Sequence, residues 1–281
     1  MKIKEVLRIS RPRFWLYEAA TFGLVGTFGA LNGFKFLHNW HYWVFAFYFL
    51  IPANILIYGI NDIFDYQTDK LNPKKIKYEA LVIPEKQNSL WKWILLTNIP
   101  FLFFIPTQTP VIISFLVFVF CASFYSAPPI RAKAKPVIDS LFSGGHYVAT
   151  GVFGYYLAGG THFPLIGVIA GMCWTVAMHA YSAVPDIKSD SDAKLKTIAI
   201  VIGAEKTIYL CWFLYIVAAL LVYNFIPVAV VFSLITFSYF MYQSIHSKND
   251  ERLFKIYTYF PIINSVAGAI VTMELIMRNF Y

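Results

Sequence analysis

Charge is what this 281-residue chain has least of. Asp, Glu, Lys and Arg make up 14% of it, against roughly 25% in an average soluble domain. That shortage excludes an intrinsically disordered segment, a fibrous repeat and an ordinary soluble enzyme. Cysteine is nearly absent: Cys121, Cys173 and Cys211 lie inside apolar blocks, with no C-x-x-C spacing. They read as small buried hydrophobes and exclude a disulfide framework. No signal peptide is expected either, because Met1–Arg13 is basic and amphipathic and no small-residue cleavage pattern follows the first apolar run.

What is present is 58% apolar residue and a mean hydropathy of +0.59, arranged in long blocks separated by short charged ones. A helical crossing of a bilayer needs roughly 20 such residues. The blocks predict an all-α integral membrane protein, a nine-transmembrane-helix bundle surrounded by membrane lipid. The spans fall near 14–33, 42–60, 90–106, 109–125, 138–158, 163–181, 207–223, 226–243 and 255–277. Pro106 and Pro110 bracket a tight turn, which makes the third and fourth spans a hairpin.

The net charge of +8 does not indicate nucleic acid as a partner, because the basic residues sit in loops and not on one soluble face. Of the 23 lysines and arginines, all but Lys35 and Arg278 lie in the N-terminus, in the loops after even spans, or in the first turn of the span that follows them. The positive-inside rule then predicts a multi-pass protein of the cell membrane with its N-terminus and even loops in the cytoplasm.

Two of those loops carry acids. Span two runs into Asn61-Asp62-Ile63-Phe64-Asp65-Tyr66-Gln67-Thr68-Asp69, and span six into Asp186-Ile187-Lys188-Ser189-Asp190-Ser191-Asp192. The clusters lie four spans apart. They suggest one polytopic domain, 1–281, built as two pseudo-repeated halves of roughly 1–125 and 126–281. If helical, Asn54, Tyr58, Asn61, Asp65 and Asp69 form one stripe, and His179, Ser182, Asp186 and Asp190 a second. Carboxylates stacked this way repel one another and oppose the helix dipole, so a solvated loop is a poor explanation and a bound cation a good one. Oxygen donors without His or Cys favour Mg2+. Two such clusters could hold a diphosphate through bridging Mg2+.

The loop Tyr125-Ser126-Ala127-Pro128-Pro129-Ile130-Arg131-Ala132-Lys133-Ala134-Lys135 supplies cations close to the membrane, with Arg131 and Lys133 the favoured phosphate ligands. Arg11, Arg13, Lys74, Lys75 and Lys188 could add to them, although each alone reads as a positive-inside anchor. A diphosphate that leaves an allylic chain leaves a carbocation, which needs a dry pocket with electron-rich walls. Tyr58, Phe64, Tyr125 and Tyr181 are close enough to the motifs to serve.

Asn61-Asp62-x-x-Asp65-x-x-x-Asp69, Asp186-x-x-x-Asp190, nine spans and the Tyr125-Ser126-x-Pro128-Pro129-x-Arg131 loop together resemble the UbiA superfamily of intramembrane prenyltransferases. The resemblance implies a helical bundle with a central cavity, a prenyl diphosphate donor and a lipophilic acceptor. It implies that Asn61, Asp62, Asp65, Asp69, Asp186 and Asp190 bind Mg2+-diphosphate while Arg131 and Lys133 grip the leaving group. Tyr125, Ser126, Tyr58, Tyr181 and Arg11 would face the substrates. Many members carry Arg where this chain has Tyr66, so one phosphate contact must be absent or come from Lys74 or Lys75.

Ser10-Arg11-Pro12-Arg13-Phe14-Trp15-Leu16-Tyr17, Leu71-Asn72-Pro73-Lys74-Lys75, Pro136-Val137-Ile138-Asp139-Ser140 and His179-Ala180-Tyr181-Ser182-Ala183-Val184-Pro185-Asp186 look like the lycopene elongase branch. That branch attaches C5 units from dimethylallyl diphosphate to a C40 carotenoid. Glu18 and His179 are the intramembrane groups to consider for the closing proton step. Glu18 could equally pair with Arg11 or a neighbouring helix, His146 and His179 could bridge helices, and Asp139 could be an N-cap. Two other readings remain: an aromatic quinone precursor as acceptor with a long polyprenyl donor, and a secondary transporter. The acids lie at one membrane face and not at the midplane, which disfavours the transporter.

Overall fold

The computed structural model describes residues 1–70, 80–192, 194–247 and 249–280. Leu71-Asn72-Pro73-Lys74-Lys75 lies outside the described residues. All regular structure among the described residues is helical. The first expected span is Trp15–Ala20, a π-helical turn Thr21–Gly26 and Thr27–Gly29; the second is Trp40–Leu50 and Pro52–Phe64. Pro84–Leu102, Thr109–Phe124, Ile138–Leu157, Leu165–Ala183, Ala204–Val222, Pro227–Ile245 and Phe260–Arg278 lie over the other seven. Among the described residues five stretches are long and apolar enough to cross a membrane: Trp40–Phe64, Leu165–Ala183, Ala204–Val222, Pro227–Ile245 and Asp250–Arg278. Thr109–Phe124 is apolar but shorter. Of the nine expected spans, five therefore meet that measure among the described residues.

The chain divides into two compact units. Met1–Ala132 and Ala149–Thr161 form the first; Lys133–Val148 and the chain from His162 onward form the second. The first unit is thus discontinuous in sequence, taking in the C-terminal part of Ile138–Leu157.

In the first unit, Trp40–Phe64 is the helix around which the others pack, with 61% of its apolar window buried. Its core is aromatic. Phe22, Phe45, Tyr48, Phe49, Phe118 and Phe153 are all buried, with Phe45 and Phe153 centred 4.6 Å apart and Phe22 and Phe49 5.1 Å apart. Pro52 has no N–H to continue the helical ladder, and the helix breaks at Ile51. Two asparagines hold the break. Asn54 Nδ2 donates back to the carbonyls of Phe49 (3.1 Å) and Leu50 (3.0 Å), and Asn98 Nδ2 donates to the Pro52 carbonyl at 3.2 Å. The π-helical turn lies in backbone contact with the Ala149–Leu157 segment. A Cβ on Gly26 would strike the Gly151 carbonyl, and one on Gly154 the Phe22 carbonyl, so only glycine permits this approach. Glu18, 1% exposed, accepts from Thr150 Oγ1 at 2.8 Å in the same region.

The second unit is built on Tyr181, Tyr215, Phe237, Phe240, Met241 and Phe260. Its helices bury a smaller share of their apolar windows, 28–39%, and turn Phe213, Leu220, Ile235 and Tyr239 outward as lipid-facing helices do. Glu274 solves the problem at the start of Pro227–Ile245, where the first backbone N–H groups have no helical acceptor. Its carboxylate accepts from Val228 N at 3.2 Å and Ala229 N at 2.7 Å. One turn on, Arg278 Nη2 donates to the Asn224 carbonyl at 3.0 Å.

Candidate active site

In the first unit, Pro52–Phe64 delivers Asn61 and Asp62 to its C-terminal turn. The helix then stops at Asp65, whose φ and ψ of −101° and 3° leave the helical region, and a separate turn, Tyr66–Asp69, follows. The stripe expected from the sequence is thus broken once, at Asp65, because Asn54, Tyr58 and Asn61 share the unbroken helix Pro52–Phe64. Asp69 sits on its own turn, tied to the helix by Asp69 N donating to the Asp65 carbonyl at 2.8 Å. Thr68 Oγ1 donates to the same carbonyl at 2.8 Å.

Asp62 is 2% exposed and Asp65 0%. Buried carboxylates at a helix C-terminus need cations or donors, and both have them. Arg11 Nη2 donates to Asp62 Oδ1 at 3.0 Å, and its guanidinium lies 4.3 Å over the Tyr58 ring. Ser126 Oγ lies 3.0 Å from Asp65 Oδ2 and 3.3 Å from Asn61 Oδ1, and its one proton can serve either. This brings Arg11, Tyr58, Asn61, Asp62, Asp65 and Ser126 together, drawn from the N-terminus, the second expected span and the loop after the fourth. Tyr125 is half-buried at the end of Thr109–Phe124. Arg131 is exposed, in a left-handed backbone conformation (φ 46°) fixed by its N–H to the Ala127 carbonyl at 2.9 Å. Phe64 packs edge-on to Trp91, and Arg13 lies over Phe14.

In the second unit, Asp186 precedes the short helix Ile187–Asp192 that carries Asp190, and Asp190 N donates to the Asp186 carbonyl at 2.8 Å. Both acids are half-buried, as is Lys133, whereas Lys188 is exposed. Tyr181 is fully buried in the unit's core, its hydroxyl 2.8 Å from Ser244 Oγ and its ring against Phe240 and Phe260.

Asp139, 0% exposed, does more than cap its own helix. Oδ1 accepts from Ser140 N at 2.7 Å, and Oδ2 from Ile198 N at 3.2 Å, the first N–H of helix Ile198–Ile202. His179 interacts electrostatically with both Asp139 and His146.

In the N-terminal helix, Glu5 Oε1 accepts from Lys86 Nζ at 2.6 Å and Oε2 from Lys2 N at 2.7 Å. These bonds hold its carboxyl below the usual range. Among the described residues no three Asp, Glu, His or Cys side chains converge as a ready-made ligand set.

Residues 19–271 match the sequence model of the UbiA prenyltransferase family. The chain belongs to that family. It is similar to the lycopene elongase/hydratase of Haloarcula japonica, 33% identical over 98% of this chain and 92% of that one. The Corynebacterium glutamicum lycopene elongase/hydratase is also 33% identical, over 98% and 97%. Among solved structures, a UbiA homolog from Archaeoglobus fulgidus bound to DMAPP and Mg2+ superposes with a TM-score of 0.70 at 19% identity, over 97% of this chain and 99% of that one. A digeranylgeranylglyceryl phosphate synthase gives 0.72 at 17% identity, over 98% and 99%. The protein is a multi-pass membrane prenyltransferase of the UbiA fold, and the transporter reading falls away.

Proposed function

We propose that this UbiA-family enzyme is a lycopene elongase, which moves dimethylallyl units from their diphosphate onto the ends of a C40 carotenoid in the cell membrane. The observation that carries the reading is the 33% identity to lycopene elongase/hydratases over nearly the whole chain. The buried acids fit Mg2+. Asn61, Asp62 and Asp65 present only hard oxygen donors within little more than one helical turn, and Asp186 and Asp190 present the same chemistry in the second unit. Asp69 completes the set.

When bound, Mg2+ neutralises the diphosphate and makes it a competent leaving group. Arg131 and Lys133 take up charge where it develops on the leaving oxygens. Ser126 orients Asp65 and Asn61, and Tyr58 and Tyr125 offer ring faces to the allylic cation. The acceptor's terminal alkene forms the new C–C bond, and the resulting cation is quenched by proton loss or by water. The donor enters from the cytoplasmic face, where the N-terminus and both acidic segments lie.

The test is expression in lycopene-producing bacterial cells, with pigments read by mass spectrometry beside Asp62→Ala and Asp186→Ala variants. One or two added C5 units, lost in both variants at equal membrane expression, support the reading. Unchanged lycopene with the well-expressed wild-type chain overturns the carotenoid acceptor, and full activity in both variants overturns the metal assignment.

A further inference from the structure

Arg11 sits on a residue that the proposed reaction requires for something else. Its Nη2 donates to Asp62 Oδ1 at 3.0 Å, with the pair 13% and 2% exposed, and its guanidinium covers the Tyr58 ring. The placement is built into the backbone. Arg11 has φ 51°, in the left-handed region that residues with a Cβ seldom occupy. Pro12 follows with its fixed φ. Before it, the Ser10 hydroxyl donates to the Leu7 carbonyl at 2.8 Å and accepts from Trp15 Nε1 at 2.9 Å, closing the turn. Phe14 also packs against this tyrosine, ring centroids 5.9 Å apart.

A carboxylate this buried cannot stay charged without a cation. A guanidinium and a divalent ion on the same carboxylate repel each other strongly in a site closed to water. A guanidinium also binds phosphate oxygens with the same planar fork that it offers a carboxylate. We propose that Arg11 is a place-holding cation: it neutralises Asp62 in the donor-free enzyme and exchanges Asp62 for the donor's diphosphate when metal and diphosphate arrive. Metal alone then competes with Arg11 and binds weakly, whereas metal with diphosphate gives Arg11 a new partner. The buried acids are thereby kept from loading divalent ions before a substrate is present. The inference rests on the proposed role of Asp62.

The experiment is Mn2+ binding to the purified full chain in detergent, followed by electron paramagnetic resonance, with and without inorganic pyrophosphate. Wild-type protein is expected to bind Mn2+ weakly alone and more tightly with pyrophosphate, and each should raise the other's affinity by the same factor. In Arg11→Gln the pyrophosphate-free Mn2+ affinity should rise by roughly 5–150-fold, the usual span of coupling between two ligands. The gain from pyrophosphate should shrink, and Arg11→Lys should fall between. Unchanged or weaker Mn2+ binding in a folded Arg11→Gln overturns the proposal. If that variant does not fold, the wild type decides alone, since Mn2+ and pyrophosphate binding independently of each other overturns it too. Coupling without any elongated carotenoid removes the acceptor reading and keeps this one. No Mn2+ binding under any condition removes both.

Discussion

Replacing Asp139 by alanine tests whether one buried carboxylate fixes the acidic segment of the second unit. The wild-type group accepts two backbone N–H bonds, Ser140 at 2.7 Å and Ile198 at 3.2 Å, with no exposure to water. A hydrogen bond to a charged group contributes about 1.5–3 kcal/mol, and the shortfall of the longer bond and local relaxation reduce the sum. A loss of about 2–4 kcal/mol follows for Asp139→Ala. At about 2–4 °C per kcal/mol for a chain of this size, the thermal transition should fall by about 5–15 °C. Asp139→Asn keeps one acceptor but turns an NH2 toward the other N–H, so it should lose roughly half as much. The effect should also reach the reaction. Ile198 begins the helix that follows Asp186 and Asp190, and loosening its anchor should raise the KM for dimethylallyl diphosphate more than it lowers kcat. Unfolding in detergent by tryptophan fluorescence reads the first quantity and prenyl transfer in membranes the second. An Asp139→Ala transition within about 1 °C of wild type, with unchanged KM, would refute the reasoning.

Glu274→Ala strips both acceptors from the start of Pro227–Ile245 and should cost about 2–4 kcal/mol, while Glu274→Gln retains part of the cap; equal unfolding temperatures for all three proteins would contradict the assignment. Glu5 has its carboxyl lowered first by Lys86 and then by the Lys2 N–H, so its contribution is present above the ordinary carboxylate range and is lost as pH falls through the lowered value. The pair is exposed and screened by water, so Glu5→Gln should move the thermal transition by less than about 1 °C at pH 7. A larger shift would show that the N-terminal helix depends on it.

Much of this was legible from composition and period. Apolar blocks of bilayer length foretell where helices lie, and the clustering of six acids at the ends of two of them foretells where chemistry is sought. Helical spacing held from Asn54 through Tyr58 to Asn61 and went too far only at Asp69. It assumes an unbroken helix, and the backbone at Asp65 interrupts it. Nothing local marked that break. For Glu18 the sequence left two partners open, Arg11 or a neighbouring helix. The left-handed turn at Arg11 carries its guanidinium to Asp62, and Glu18 meets Thr150, 132 residues away. That Tyr181 is fully buried against Ser244, Phe240 and Phe260 is something a helix carrying apolar residues on every side does not reveal. Glu274 had one signal, an acid in an otherwise apolar final helix, but its acceptor role lay 45 residues back along the chain.

The break at Pro52 bears on how the protein reaches its membrane. Asn98 brings a polar amide into the C-terminal part of the Pro84–Leu102 helix, and it donates both to its own turn, at the Ile94 carbonyl, and across to Pro52. A side chain of this kind partitions poorly into hydrocarbon alone. The helix that waits for it has an interrupted ladder at matching depth and gains a donor from the same contact. Of these two segments Pro84–Leu102 is therefore the reluctant entrant to lipid by itself, and it is better suited to leaving the insertion machinery joined to the more apolar Trp40–Phe64 than on its own. The helix that carries Asn61, Asp62 and Asp65 would then be set in place only once its neighbour has been made.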